Sequence, residues 1–114
     1  QFFFSSDSYL IIQETAALCA IDVNTGNDFS RDISNINLDA CESIAHNIRI
    51  KGIGGKIVID FMPTSQKNRN QIEETLVSLF SSDPISTTIY GWTRGNNFEI
   101  ERKRSKVPLS LFNQ

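Results

Sequence analysis

The stretch NLDACESIAHNIRIKGIGGKIVIDF, Asn37 to Phe61, decides the fold. Its first half is helical. Leu38, Cys41, Ile44, Ala45 and Ile48 recur at the spacing of one helix face. Asn37 is the expected N-cap, with Asp39 and Glu42 in the first turns, where the helix dipole favours acids. Arg49 and Lys51 fall at the other end, where cations are favoured, and Gly52 is the stop. Gly54-Gly55 then opens a different element. Ile57, Val58, Ile59 and Phe61 form a short, nearly continuous apolar run, which suggests a strand buried on both faces, as in a parallel pair. Pro63 ends it.

Working outward, Tyr9–Gln13 and Ala17–Val23 are strand-like, separated by a turn or bulge at Glu14-Thr15, and Phe2–Phe4 is a candidate edge strand. Residues 24–36 are polar, with a turn signal at Thr25-Gly26-Asn27-Asp28. Downstream, the polar run Thr64–Asn70 reads as a loop. A second helix is expected over Asn70–Ser81, with Ile72, Leu76, Leu79 and Phe80 as its stripe, closed by Asp83-Pro84. Thr87–Thr93 and Phe98–Arg104 alternate as strands around a hairpin turn, Arg94-Gly95-Asn96-Asn97. The order β-β-α-β-α-β-β describes an α/β sandwich with a mixed sheet, its central strands parallel through a right-handed crossover. With 114 residues, 39% of them hydrophobic, one domain with a real core is expected.

Composition excludes several classes. A net charge of −2 leaves no overall basic field for nucleic acid, so RNA contacts would come from a local patch. Arg102, Lys103, Arg104 and Lys106 supply one, set against the plain reading of a solvated strand end. No apolar run approaches the length of a membrane span, and the opening QFFFSSDS lacks the basic start of a signal peptide. Cys19 and Cys41 read as buried thiols, which fits a reducing, cytoplasmic setting. A ribonuclease working through two histidines is excluded, because His46 is the sole histidine and falls outside the apolar stripe.

Two carboxylates stand out. If one helix joins Ala17–Val23 to the strand ending at Phe61, Asp22 and Asp60 both lie at C-terminal strand ends on one edge of the sheet, where open α/β sheets place ligands. Two close carboxylates repel, and a hard dication such as Mg2+ relieves the repulsion with oxygen ligands and retained waters. Asn24, two residues on, shares the face of Asp22. The plain alternative is that each Asp merely ends its strand and caps a loop. Tyr90 and Trp92 alternate, so they are expected on one face, where core packing competes with base stacking.

IDVNTG (Ile21 to Gly26) resembles the IDxNSG motif of the ribonuclease E/G family. The Asn37–Phe61 stretch is similar to that family's long NLEAA…GGxIVIDF block, NNFEIERKR (Asn96 to Arg104) to its GLVEMTRKR block, and VPLSLF to the end of its catalytic core. The resemblance covers residues 11–111. It implies the DNase I-like catalytic subdomain, with Asp22 and Asp60 binding a catalytic Mg2+ (Mn2+ as a substitute) and Asn24 in support. It further implies hydrolysis of single-stranded RNA to 5′-phosphate and 3′-hydroxyl ends, in RNA processing and decay. The RKR match gives Arg102, Lys103 and Arg104, with Lys106 beside them, an RNA-binding role, and Glu99 a supporting one. The family's RNA-gripping domain and its zinc-binding cysteine motif, which joins subunits into a homo-oligomer, are not in these 114 residues. This is expected to be a subdomain of a larger protein or a divergent short homologue. Within the match, the acid of a TEA triplet is replaced at Thr15-Ala16-Ala17, and a second Asp after the VIDF motif is replaced by Pro63. Those losses motivate an alternative: a catalytically weakened RNA-binding or assembly module with the same fold.

Overall fold

The computed structural model describes residues 1–5, 7–27 and 31–104. Within them the order is β1 (Phe2–Phe3), β2 (Tyr9–Glu14), β3 (Cys19–Asn24), α1 (Ile33–Lys51), β4 (Gly55–Asp60), α2 (Gln66–Ser81), β5 (Thr87–Trp92) and β6 (Phe98–Arg102). The strands form one mixed sheet ordered β1-β2-β3-β4-β6-β5. β3 and β4 are the parallel pair and the other neighbours are antiparallel, so the expected α/β order holds, with the short edge strand β1 added.

Both helices cover the same face of the sheet. Cys19, Ile21, Val23, Ile57, Ile59, Phe98 and Ile100 point into one core with Ile36, Ala40, Cys41, Ile44, Ile48, Ile72, Leu76 and Phe80 of the helices. The alternate positions are different in kind: Gln13, Asp22, Asp60 and Glu101 are exposed, while Ile11, Ala20 and Val58 are half-covered. The expectation that β4 is buried on both faces is therefore corrected. Its apolar run reflects one helix-covered face plus Val58 on a face that no described residue roofs. Both cysteines are free and buried. Burial pushes the Cys19 thiol up to about 11 and the Cys41 thiol up to about 12.

Both helices start earlier than their sequence patterns suggest. The N-cap of α1 is Asp32, whose side chain accepts from the Ser34 N–H at 3.0 Å. Asn37 is instead fully buried in the second turn. α2 begins at Gln66 behind the N-cap Ser65, so most of the polar run taken for a loop is helix. A buried Asn68 explains the polarity: it accepts from Asn37 Nδ2 at 3.2 Å and donates to the Ser34 carbonyl at 3.2 Å. Gly52 ends α1 as expected.

Candidate metal and RNA site

The parallel ladder pairs Cys19 with Ile57, Ala20 with Val58, Ile21 with Ile59 and Asp22 with Asp60. The two carboxylates are thus register partners on adjacent strands, whose backbones lie about 4.8 Å apart. The period-two pleat puts both on the uncovered face, because Ile21 and Val23 beside Asp22, and Ile59 and Phe61 beside Asp60, face the core. Phe61 anchors the end of β4, packing its ring on Trp92 and Phe98 at centroid distances of 5.8 and 6.4 Å. Burial and the neighbouring Asp60 charge both raise the Asp22 carboxyl above the usual aspartate range.

The IDVNTG motif has a local physical reading. Asn24 lies on the Asp22 face, but its Oδ1 accepts from the Gly26 N–H at 2.7 Å and closes the turn after β3. What Asn24 retains for the site is its amide N–H donors. Gly26 has φ 58°, and a Cβ there would stand 2.6 Å from the Asp7 carbonyl oxygen, so both backbone and space demand glycine.

Asn37 is not the N-cap of α1 but a buried tether between α1 and the end of β4. Its Nδ2 donates to the Met62 carbonyl at 2.9 Å and its Oδ1 accepts from the Met62 N–H at 3.1 Å. One buried amide thereby holds the chain two residues beyond Asp60. An Asn inside an apolar helix stripe, where a hydrophobe is expected, is the available signal.

The basic cluster divides. Arg102 is 1% exposed, and its guanidinium grips Asp83 bidentately, Nε to Oδ2 at 3.0 Å and Nη2 to Oδ1 at 3.1 Å, with Nη1 on the Ile53 carbonyl at 3.1 Å. It is a core ion pair and presents nothing to a phosphate. Lys103 and Arg104 are exposed, but they follow the end of β6 that pairs with Gly55 at the start of β4. Five residues of β4 separate that end from Asp60, about 16 Å. Arg104 lies across Gly54-Gly55: a Cβ on Gly55, whose φ is 83°, would meet its Nη2 at 2.5 Å. The GG and RKR motifs are thus two halves of one contact. Lys106 and the VPLSLF segment lie outside the described residues.

Glu99 stands opposite Val58 on the uncovered face, with Lys56 Nζ 3.7 Å from its Oε2. A bulge between Ile89 and Gly91 corrects the expectation that Tyr90 and Trp92 share a face. Trp92 packs against the core, whereas Tyr90 is exposed and donates to Glu101 Oε1 at 2.9 Å. His46 is exposed, as expected. Ala16, where an acid is lost, sits in the β2–β3 turn beyond the far end of β3, at least about 10 Å from Asp22. Pro63 does line a cleft with Asp60.

Among the described residues no group of three or more His, Cys, Asp or Glu side chains converges. Two facing carboxylates on an open sheet face still fit one hard dication, since Mg2+ is held by one or two carboxylates with water and substrate phosphate completing its shell. The class defined by this fold is an α/β domain that carries two paired carboxylates on an open sheet face.

The particular family follows from comparison. The model of the Ribonuclease E/G family matches residues 1–105. Ribonuclease G of Haemophilus influenzae is 34% identical over 110 residues, covering 91% of this chain and 22% of its own length. Ribonuclease G of Escherichia coli K12 is 32% identical over the same length. A chloroplastic ribonuclease E/G-like protein of Arabidopsis thaliana is 33% identical over 115 residues, 94% of this chain and 12% of its own. The chain belongs to the ribonuclease E/G family and spans about a fifth of the ribonuclease G proteins it matches. No described helix is long and apolar enough to cross a membrane.

Proposed function

We propose that this chain is the catalytic subdomain of a metal-dependent endoribonuclease that hydrolyses single-stranded RNA, leaving 5′-phosphate and 3′-hydroxyl ends. The observation that carries the reading is the Asp22–Asp60 register pair on the uncovered sheet face. Its mutual repulsion is relieved by a dication, and ribonuclease G relatives supply the reaction class. Mg2+, with Mn2+ as substitute, would be held by Asp22 and Asp60; when bound it polarises the phosphodiester and lowers the pKa of water for in-line attack. The chain's own groups do the rest. Asn24 shares the face of Asp22 and keeps its amide N–H donors free of the Gly26 turn, and Asn37 fixes the backbone after Asp60. Lys56 neutralises Glu99 nearby, which limits further negative charge facing the phosphate. Lys103 and Arg104, about 16 Å away, serve a distant stretch of the strand.

The test uses Mn2+ titration of the labelled chain and cleavage by the longest available reading frame. Amide broadening centred on Asp22 and Asp60, and loss of cleavage in Asp60→Asn, are expected. Undiminished cleavage by Asp60→Asn sinks the assignment. A second reading, an RNA-binding or assembly module of weakened activity, rests on Pro63 standing beside Asp60 in place of an acid. It predicts RNA binding with no metal response at the pair.

A further inference from the structure

A second recess adjoins the carboxylate pair. The groove on the uncovered face is lined by Ile11, Gln13, Asp22, Val58, Asp60 and Asn97. A cleft of about 170 Å³ at the end of the sheet is lined by Asp60, Met62, Pro63, Arg69, Trp92 and Asn96, among others. Asp60 belongs to both, so the cleft opens directly beside the proposed reaction centre.

Its wall is a preorganised cationic stack. The Arg69 guanidinium lies 4.3 Å from the Trp92 ring centroid. The indole cannot turn away, because its Nε1–H donates to the Arg69 carbonyl at 3.1 Å and its ring meets Phe98 edge-on at 5.3 Å. Arg69 Nε is buried yet has no hydrogen-bond partner among the described residues. Arg69 as a whole is half-buried and lines the cleft, so the guanidinium presents its charge and its terminal N–H donors there while Nε stays shielded. Asn96 adds an amide from the β5–β6 turn. The cleft is too small for a drug-sized molecule and suits a single planar ring system. Guanidinium planes stack on unpaired bases, and base edges supply acceptors for the terminal guanidinium N–H groups and for the Asn96 amide.

We propose that this cleft is a base subsite: it takes the base of a nucleotide next to the cleaved phosphodiester, held by the Arg69–Trp92 stack and Asn96. The proposal rests on the endoribonuclease reading above and deepens it. It separates two jobs on the two sides of Asp60, phosphate chemistry on the open face and base holding in the cleft.

Trp92 is the sole tryptophan, so its fluorescence reports occupancy directly. The full 114-residue chain is titrated with a single-stranded RNA pentamer in EDTA, and in parallel with an abasic oligomer of the same length and with inorganic phosphate. Saturable quenching by the RNA alone is expected. Arg69→Ala should weaken it about tenfold. Asn96→Gly, which suits the φ of 63° at that turn, should weaken it without touching the fold, checked by circular dichroism. Equal quenching by the abasic oligomer or by phosphate overturns the base subsite. So does RNA binding, seen as amide shifts elsewhere, that leaves Trp92 silent. The endoribonuclease reading fails separately, through cleavage that survives Asp60→Asn.

Discussion

Asn37, fully buried in α1, pairs its side-chain amide with both backbone polar groups of Met62, two residues past Asp60. The same amide donates to Asn68 in α2, so one side chain ties both helices to the strand end that carries the candidate metal ligand. Buried polar networks of this kind specify geometry when every member is satisfied. Asn37→Leu leaves the Met62 N–H and carbonyl unpaired and should cost about 1–3 kcal/mol in urea unfolding. The same variant should weaken Mn2+ binding, because the backbone after Asp60 is no longer pinned. Unchanged Mn2+ affinity in a folded Asn37→Leu chain would restrict Asn37 to a structural role.

The carboxylate pair carries a stability penalty in the absence of metal. Like charges directly opposite on neighbouring strands cost a few tenths to about 1 kcal/mol. Asp60→Asn should therefore raise metal-free stability slightly, and the rise in melting temperature expected of the unsubstituted chain in Mg2+ should be absent from it.

The raised Asp22 carboxyl sets a pH dependence. Between its unfolded and folded values the folded chain binds more protons, so this group's contribution to stability falls as pH rises through that window. Below the unfolded value the penalty is absent; above the folded value it is complete. Metal binding runs the other way, because protonation of Asp22 competes with the dication. Metal-free melting curves in acid buffers should show the Asp22→Asn chain lacking this component. An identical pH slope in the two chains would contradict the Asp22 assignment.

Asp83 and Arg102 form a core ion pair in which neither side chain is more than 1% exposed, and Arg49 approaches the same carboxylate at 3.9 Å. Removing one partner strands a buried charge. Asp83→Ala should destabilise by about 3–5 kcal/mol, a large part of a small domain's stability. Urea midpoints measure this, and the surviving folded fraction should keep normal Mn2+ affinity.

The two thiols, pushed up to about 11 and about 12, should be inert in the folded chain at neutral pH. A chromogenic thiol reagent should react with neither Cys19 nor Cys41 until denaturant is added, and then with both. Rapid reaction of the native chain at pH 7 would contradict their burial.

Much of the site was legible because it depends on local periodicity. Asp22 and Asp60 each stand between core hydrophobes on a strand, and a single helix between the strands makes them parallel, hence co-located. The burial of Arg102 in the basic tail is not legible in the sequence, because alternation cannot reveal a partner. Arg102 falls on the helix-covered face, and it is Asp83, 19 residues away, that makes its burial tolerable. The role of Asn37 is hidden for a similar reason: Asn locally favours helix ends, and its partner Met62 lies 25 residues away.

By itself the sequence determined the element order, the parallel β3–β4 pair and the placing of both aspartates at C-terminal strand ends, since these follow from repeat spacing and chain connectivity. Only the tertiary structure decided which sheet face stays open, that Arg102 is buried, that a bulge parts Tyr90 from Trp92, and that a cleft backed by Arg69 and Trp92 adjoins Asp60. Each of those depends on contacts between distant segments, where desolvation and hydrogen-bond pairing outweigh local preference.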